Sequence, residues 1–410
     1  MYNLNFSGAE MNYGNNRGMI LIGFGESLSA PEVAWDLLDH GFMVAAFIRR
    51  GISPPLRRIK GIKLVEVTPP EKDAWETVDQ IQQAIADIGA ETILPLDDTS
   101  VWLCDKLSNR ITIPVAGATG ETALLALDKR VQLDAARDAG FNISETQYIN
   151  AGHEILNIKQ LPVVIKPAAA IAEINGKLLK GPFFFCIEAE DLKRAANNCN
   201  YDGPMIVQPV LKGCGEGIFG LNSSDGVKNW TAHRRIRMMN PLGSGSSACQ
   251  SLEITDQPTL PAERMLKKIN WPGMFMIELL RDSSNQMWFM ELNGRSWGSM
   301  ALAIRLGLHY PAWTVMQTLD PSFKPPHALP RYPVVCRHLG REIIHVLAVL
   351  KGRKAYKLVP NYSRIRTLLE VCRFNQNEEW YNLRADNSAL FWEDTIKTVS
   401  GKVFSLWGSS

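Results

Sequence analysis

Residues 273–310 read GMFMIELLRDSSNQMWFMELNGRSWGSMALAIRLGLHY. An apolar run, Met274 to Leu280, is interrupted only by Glu278. A polar turn, Arg281 to Gln286, follows, and a second apolar run starts at Met287. Two apolar runs joined by a short polar segment predict an antiparallel hairpin. The second run ends in Glu291-Leu292-Asn293-Gly294-Arg295. On such a hairpin Glu278 and Glu291 face each other across the pair, and Asn293 shares the face of Glu291. Two carboxylates and an amide oxygen at one spot suit Mg²⁺, which takes oxygen ligands and shares them with substrate phosphates. A half-buried hairpin whose charges meet solvent has the same pattern, so the remaining motifs must decide.

At 410 residues the chain is long enough for two or three packed units. Hydrophobic residues make up 46% and charged residues 21%, which is ordinary for a globular protein. Forty-four basic residues against forty-two acidic ones give a net charge of +2, so no global charge favours nucleic acid as a partner. The seven cysteines (Cys104, Cys186, Cys199, Cys214, Cys249, Cys336 and Cys372) are scattered and form no C-x-x-C pair. That argues for a reducing compartment and against a zinc ribbon. No signal-peptide pattern opens the chain and no apolar run reaches bilayer length, so the expected location is cytoplasmic, with no transmembrane segment.

The first hundred residues alternate short apolar runs with helical stretches. GMILIG (18–23), FMVAAFI (42–48), IKLVEV (62–67) and TILPL (92–96) read as strands, and 29–40 and 75–88 as helices. This alternation implies a parallel sheet with crossover helices. Gly23-Phe24-Gly25 follows the first strand, but the third glycine of a dinucleotide fingerprint is missing. The second strand also ends in Arg49-Arg50, where an acid would be wanted. Asp97 and Asp98 fall at the end of a strand, where open sheets place ligand contacts, although a helix N-cap explains Asp98 equally well.

Further along, Glu121 to Asp138 has one helical pattern containing Lys129. Leu161-Pro162-Val163-Val164-Ile165-Lys166-Pro167 places a lysine at the end of a β-branched run. The segment 204–220 runs from a strand through Gln208, Val210 and Leu211 into glycines around Glu216 and back into a strand. His233-Arg234-Arg235-Ile236-Arg237 precedes a Gly/Ser loop, a combination suited to an anionic group through bidentate arginine and free N–H donors.

An acid on one strand followed by Glu-x-Asn-x-Arg resembles the metal end of ATP-grasp enzymes. The continuation from Arg295 is most similar to the carboxylase-related predicted carboxylate–amine ligases of that superfamily. The resemblance implies an α/β chain: a Rossmann-like domain over 1–115, a two-lobed α+β ATP-grasp domain over 116–325, and a C-terminal α-rich extension over 326–410. The small nucleotide lobe would lie at about 150–210. It implies ATP as cosubstrate, with Lys129 and Lys166 on its phosphates, Gln208, Val210 and Leu211 at the adenine edge, and Glu216 at the ribose. Glu278, Glu291 and Asn293 would hold Mg²⁺, with Mn²⁺ as the admitted substitute. Arg237 and Arg295 would stabilise phosphoryl and substrate charge, and His233 would be structural. The implied partners are a small-molecule carboxylate and an amine, and a homodimer is admitted. Bicarbonate turnover of the biotin-carboxylase kind and a non-catalytic ATP sensor are the competing readings. The chain departs from the family in Ala168-Ala169-Ala170-Ile171, where many relatives carry a glycine-rich phosphate lid. In the extension, the run Ile343–Leu350, followed by Lys351, Arg353, Lys354 and Lys357, predicts a helix docked on the catalytic unit. Trp392, Phe404 and Trp407 suggest packing or a partner surface.

Overall fold

The computed structural model describes residues 17–241, 243, 245–330, 332–352, 363–373 and 377–407, with side chains to 402. Four parallel strands form the first unit: β1 (Met19–Gly23), β2 (Met43–Arg49), β3 (Lys63–Val67) and β4 (Ala90–Pro95), in spatial order β3-β2-β1-β4. Helices α1 (Ala30–Asp39) and α2 (Ala74–Ile88) make the crossovers, and α3 (Asp98–Leu107) follows β4. A parallel sheet is covered on both faces, so its central strands β1 and β2 are almost wholly apolar, while the edge strands β3 and β4 expose Lys63, Glu66 and Glu91. Ile20 and Ile22 enter one core and Leu21 the other.

The helix expected over 121–138 is two helices, α4 (Glu121–Leu127) and α5 (Lys129–Ala139). Asp128 between them is extended (φ −108°, ψ 112°), and its carboxylate accepts from the Arg130 N–H at 2.8 Å. A short acidic side chain competes for backbone donors and starts a helix better than it continues one, which the apolar spacing does not reveal. Lys129 therefore opens a helix rather than sitting inside one.

After β5 (Asn142–Ile143) come β6 (Gln147–Ile149), β7 (Val163–Pro167), the hairpin β8 (Ala172–Ile174) with β9 (Lys177–Leu179), β10 (Phe184–Cys186), α6 (Ala189–Asn198) and β11 (Met205–Pro209). Four of these strands make a small sheet of order β10-β7-β11-β6. Val163, Ile165, Met205 and Val207 pack with Leu192 and Ala195 of α6. By the two-residue alternation, Val164, Lys166, Ile206 and Gln208 take the other face.

The remaining elements are β12 (Cys214–Ser223), β13 (Gly226–Met238), β14 (Ser246–Leu252), α7 (Asp256–Lys268), β15 (Gly273–Arg281), β16 (Met287–Asn293), α8 (Met300–Arg305), α9 (Tyr310–Leu319), β17 (Val335–Arg337), α10 (Leu339–Lys351), α11 (Arg364–Cys372), β18 (Glu378–Trp380) and α12 (Ser388–Trp407). An eight-stranded sheet runs β18-β17-β14-β13-β12-β15-β16-β5. Ile218, Phe275, Ile277 and Phe289 pack on one face with Leu125, Leu133 and Met265 of α4, α5 and α7. Phe219, Met274 and Met276 pack on the other with Trp313 of α9 and Val33 of α1. Burying each Phe-sized side chain contributes roughly 1.5–3 kcal/mol. The sheet thus clamps the first unit on one side and α5 on the other.

The strands on either side of the glycine segment belong to different sheets: β11 to the small one and β12 to the large one, so residues 210–213 link the two. The extension is helical, yet its strands β17 and β18 complete the large sheet. Helix α10 docks through Ile344, Ala348 and Val349. Arg353, Lys354 and Lys357 and the side chains of Phe404 and Trp407 lie outside the described residues, and Trp392 is exposed. Among the described residues, no helix is long and apolar enough to cross a membrane.

Candidate active site

Strands β15 and β16 pair antiparallel with Glu278 opposite Glu291 and Met276 opposite Asn293. The three oxygen-bearing side chains therefore share one face of the sheet. Each carboxylate has a cation beside it. Lys129 Nζ donates to Glu291 Oε2 at 3.2 Å, and Arg235 Nη2 lies 2.5 Å from Glu278 Oε1. Burial alone would push the Glu291 carboxyl up, but Lys129, Lys166 and Arg295 outweigh it and hold it down at about 2. Burial likewise opposes the charge on Lys129, and Glu291, Asp98 and Glu278 raise it above its ordinary value. Asn293 is buried, and its amide nitrogen has no partner among the described residues. That unpartnered nitrogen is a ready donor to a bound group.

Lys166 comes to this cluster from the small sheet, where Ile206 is its partner across β7 and β11. Burial lowers its basicity and the nearby Lys129 lowers it further, against Glu291 and Glu278, leaving it at about 8. The break before Lys129 serves the same site, because the Lys129 N–H donates to the Ala168 carbonyl two residues past Lys166 (2.8 Å). Gln208 lies on the Lys166 face, opposite Val164, and its Nε2 donates to Thr146 Oγ1 at 2.9 Å. That bond leaves the Gln208 carbonyl oxygen as the acceptor at this edge.

Arg295 follows the hairpin by two residues and reaches the first unit. Its Nε is 3.0 Å and its Nη2 3.4 Å from the two oxygens of Asp98. Burial works against its charge, but Asp98 and Glu291 raise its pKa beyond the ordinary guanidinium value. Asp97, not Asp98, is the N-cap of α3, accepting from Ser100 N–H at 2.7 Å. Asp98 is thereby left to Arg295. The signal for Asp98 was its place at the carboxyl end of a parallel strand.

Four expected site residues, Arg237, Glu216, Val210 and Leu211, stand apart from this cluster. Arg237 forks onto Glu342 of α10 at 2.7–3.0 Å, and Glu342 also binds Arg337 at 3.0 Å. A register shift between Arg235 and Arg237 breaks the alternation, so Arg235 faces Glu278 and Arg237 faces the extension. Strict alternation had put both on one face, and a bulge is invisible in the residue pattern. Glu216 pairs with Leu279, one step out of phase with Glu278, and so projects to the opposite face. There Arg281 Nε meets it at 3.0 Å, so Glu216 is engaged away from the face that carries Glu278 and Glu291, unlike the ribose contact expected of it. The Val210 N–H donates to the Pro162 carbonyl at 3.0 Å and is not available to adenine, whereas Leu211 lies on the link between the sheets. His233 is buried with Nδ1 2.8 Å from Ser299 Oγ, and burial beside Arg235 depresses it to about 3, so it stays neutral.

The alanine segment is stitched into the fold. Ala168 N–H donates to the Pro204 carbonyl at 2.9 Å and Ala170 N–H to the Leu127 carbonyl at 2.7 Å. Ile171 and Leu178 enter the core of the first unit, and the Leu178 N–H donates to Pro70 at 2.8 Å. The hairpin β8–β9 therefore leans on the first unit.

No family model matches the sequence. No curated protein matches it either. Solved structures do. N5-carboxyaminoimidazole ribonucleotide synthetase in complex with ADP superposes with a TM-score of 0.62 at 13% identity, over 82% of this chain and 85% of its own. L-amino acid ligase from Bacillus licheniformis gives 0.60 at 13%, over 78% and 79%. Biotin carboxylase from Campylobacter jejuni, in complex with β,γ-ATP, gives 0.60 at 15%, over 78% and 74%. The chain has the ATP-grasp fold.

Proposed function

We propose that this chain is an ATP-dependent ligase that activates a carboxylate and joins it to an amine, releasing ADP and phosphate. The observation that carries this reading is the convergence of Lys129, Lys166, Glu278, Glu291, Arg295 and Asp98 from both lobes and the first unit. Two lysines and an arginine on half-buried acids form a site that polyphosphate can enter with little reorganisation. The small sheet would take the adenine side, with the Gln208 carbonyl oxygen accepting from the 6-amino group. The fold and the ADP- and ATP-bound enzymes that share it support the same assignment.

The donor set of Glu278, Glu291 and Asn293 fits Mg²⁺: two opposed carboxylates and the Asn293 amide oxygen on one face, with the unpartnered Asn293 nitrogen left to donate to a phosphate oxygen. A bound Mg²⁺ would neutralise phosphate charge at this face. Lys129 and Lys166 orient the phosphates, and Arg295, fixed by Asp98, stabilises charge on the transferred phosphoryl group. An oxygen of the acid attacks the γ-phosphorus as the bond to the ADP oxygen breaks, giving an acyl phosphate. The amine nitrogen then attacks the acyl carbon, phosphate leaves, and the nitrogen gives up a proton. His233 is neutral and bonded to Ser299, so the amine is best taken as arriving unprotonated.

The test is ADP and phosphate release from Mg·ATP, screened over pooled amino acids, small acids, amines and bicarbonate. Release raised by an acid and an amine together is the expected result. Release raised by bicarbonate with a biotin acceptor replaces the amine reading with the carboxylase one. ATP bound with no release in any pool overturns both.

A further inference from the structure

A cavity of about 340 Å³ opens between the β1 loop of the first unit and the C-terminal helices, with Gly25, Leu28, Arg341, Asp394, Thr398 and Gly401 among its walls. Its charged groups are nearly all accounted for. Glu26 takes Arg49 Nη1 at 2.7 Å. Asp394 lies 3.1 Å from His338 Nε2 and accepts from Asn382 Nδ2 at 3.0 Å. Lys397 is held 2.8 Å from Glu393. Arg341 differs. Among the described residues no carboxylate lies within ion-pair distance of it, and its guanidinium makes one hydrogen bond, from Nη1 to the Ser246 carbonyl at 3.2 Å. Nε and Nη2 carry none among these residues, so a two-pronged donor edge remains.

That edge is also close to the catalytic segment. A Cβ placed on Gly298, three residues after Arg295, would meet Leu28 Cδ2 at 3.2 Å and Arg341 Nη1 at 3.9 Å. A Cβ on Gly245 would lie 2.4 Å from Arg341 Nη1. Glycines on two sides leave the guanidinium room; burial depresses it most, Tyr381 and Asp394 act the other way without an ion-pair contact, and Arg235, the partner of Glu278, depresses it further. A cation in this position with no carboxylate in direct contact is costly unless a ligand supplies one.

We propose that this cavity is the substrate pocket of the ligase and that Arg341, from the extension, binds an oxyanion of the substrate, a carboxylate or a phosphate ester, bidentately. The proposal rests on the ligase reading and deepens it. Helices α10 and α12 then form the wall that selects an anionic small molecule, while the two lobes handle ATP. Arg341 is a specificity-determining residue in this scheme, outside the phosphate-handling cluster.

The experiment titrates the full chain, saturated with Mg·ADP, with inorganic phosphate, acetate and glutamate by calorimetry, for the native protein, Arg341→Gln, Arg341→Lys and Gly401→Trp. A Cβ on Gly401 meets nothing within 4 Å, so the tryptophan can be placed on a folded helix and fills the cavity from the far wall. Binding of at least one probe, weakened tenfold or more by Arg341→Gln and by Gly401→Trp and partly kept by Arg341→Lys, is the expected result. The probe that binds tells carboxylate from phosphate. Equal binding in all four proteins, or in none, overturns the inference, as does loss in Arg341→Gln alone with a lowered melting temperature. Mg·ATP affinity, measured separately, stays within about twofold in every variant. If the native chain fails to bind Mg·ATP at all, it is the ligase reading that falls, and probe binding through Arg341 is judged by itself.

Discussion

Lys129 and Glu291 are 162 positions apart in the chain and 3.2 Å apart in the fold. The pair joins the first residue of α5 to the second strand of the acidic hairpin, and it sets the charge state of the site. With Lys166 and Arg295 also acting on it, Glu291 keeps its charge down to about pH 2.

Glu291→Gln removes the carboxylate and keeps the shape. Lys129 then loses its partner, and Mg²⁺-dependent ADP release falls at least ~100-fold, in line with losing a group that acts on developing charge. The melting temperature stays close to native, since one hydrogen bond to the amide remains. Unchanged turnover in a folded variant removes the metal assignment.

Lys166 sets a pH dependence whose direction can be worked out. The free protein holds this amine at about 8, against 10.5 for an ordinary lysine. Below pH 8 it is charged with or without ATP. Above pH 8 the free protein sheds the proton and incoming phosphates must restore it. Mg·ATP affinity therefore falls as pH rises through 8, by up to ~tenfold per unit. Calorimetry at pH 9 in two buffers of different ionisation heat detects the proton uptake, and Lys166→Met abolishes both slope and uptake. Folding responds with the opposite sign: between 8 and 10.5 the unfolded chain holds more protons, so stability contributed by this residue rises with pH there.

The two arginines either side of the bulge separate cleanly. Arg237→Met leaves Glu342, nearly fully buried, with fewer partners and destabilises the protein by about 3 kcal/mol, while Mg·ATP affinity holds. Arg235→Met loosens Glu278 and lowers turnover with less effect on the melting temperature. The reverse pattern in denaturation and turnover assays restores Arg237 to the site.

Gln208→Leu removes the acceptor proposed for the adenine amino group. ATP binds ~tenfold more weakly and its preference over GTP narrows, as loss of one buried hydrogen bond implies. Thr146→Val frees the amide to flip and gives a smaller change in the same direction. Competition binding with both nucleotides reads each effect.

Much of this was legible because local pattern and tertiary role coincide. The hairpin is specified by its own alternation, which also puts Glu278 opposite Glu291, and the central strands β1 and β2 of the first unit are written as apolar runs. What stayed hidden depends on phase and on distant partners. The bulge after Arg235 and the one-step offset of Glu216 change which face a charge occupies without leaving a mark in the composition. Asp98 and Glu342 find their arginines across long stretches of chain, and no spacing rule reaches that far.

The two outer strands β17 and β18 carry a consequence for synthesis. The hairpin is translated by Asn293, but the sheet it belongs to closes only when Trp380 has emerged. At ~5–20 residues per second that interval lasts on the order of 4–17 s. Until Arg337 emerges β14 offers a bare hydrogen-bonding edge to any neighbouring nascent chain, after which β17 carries that edge, and Arg237 waits for its acid until Glu342 is made. A ribosome stalled or a message cut between these points yields the proposed phosphate-handling residues on an open sheet, so β17 and β18 act as the stop signal for aggregation.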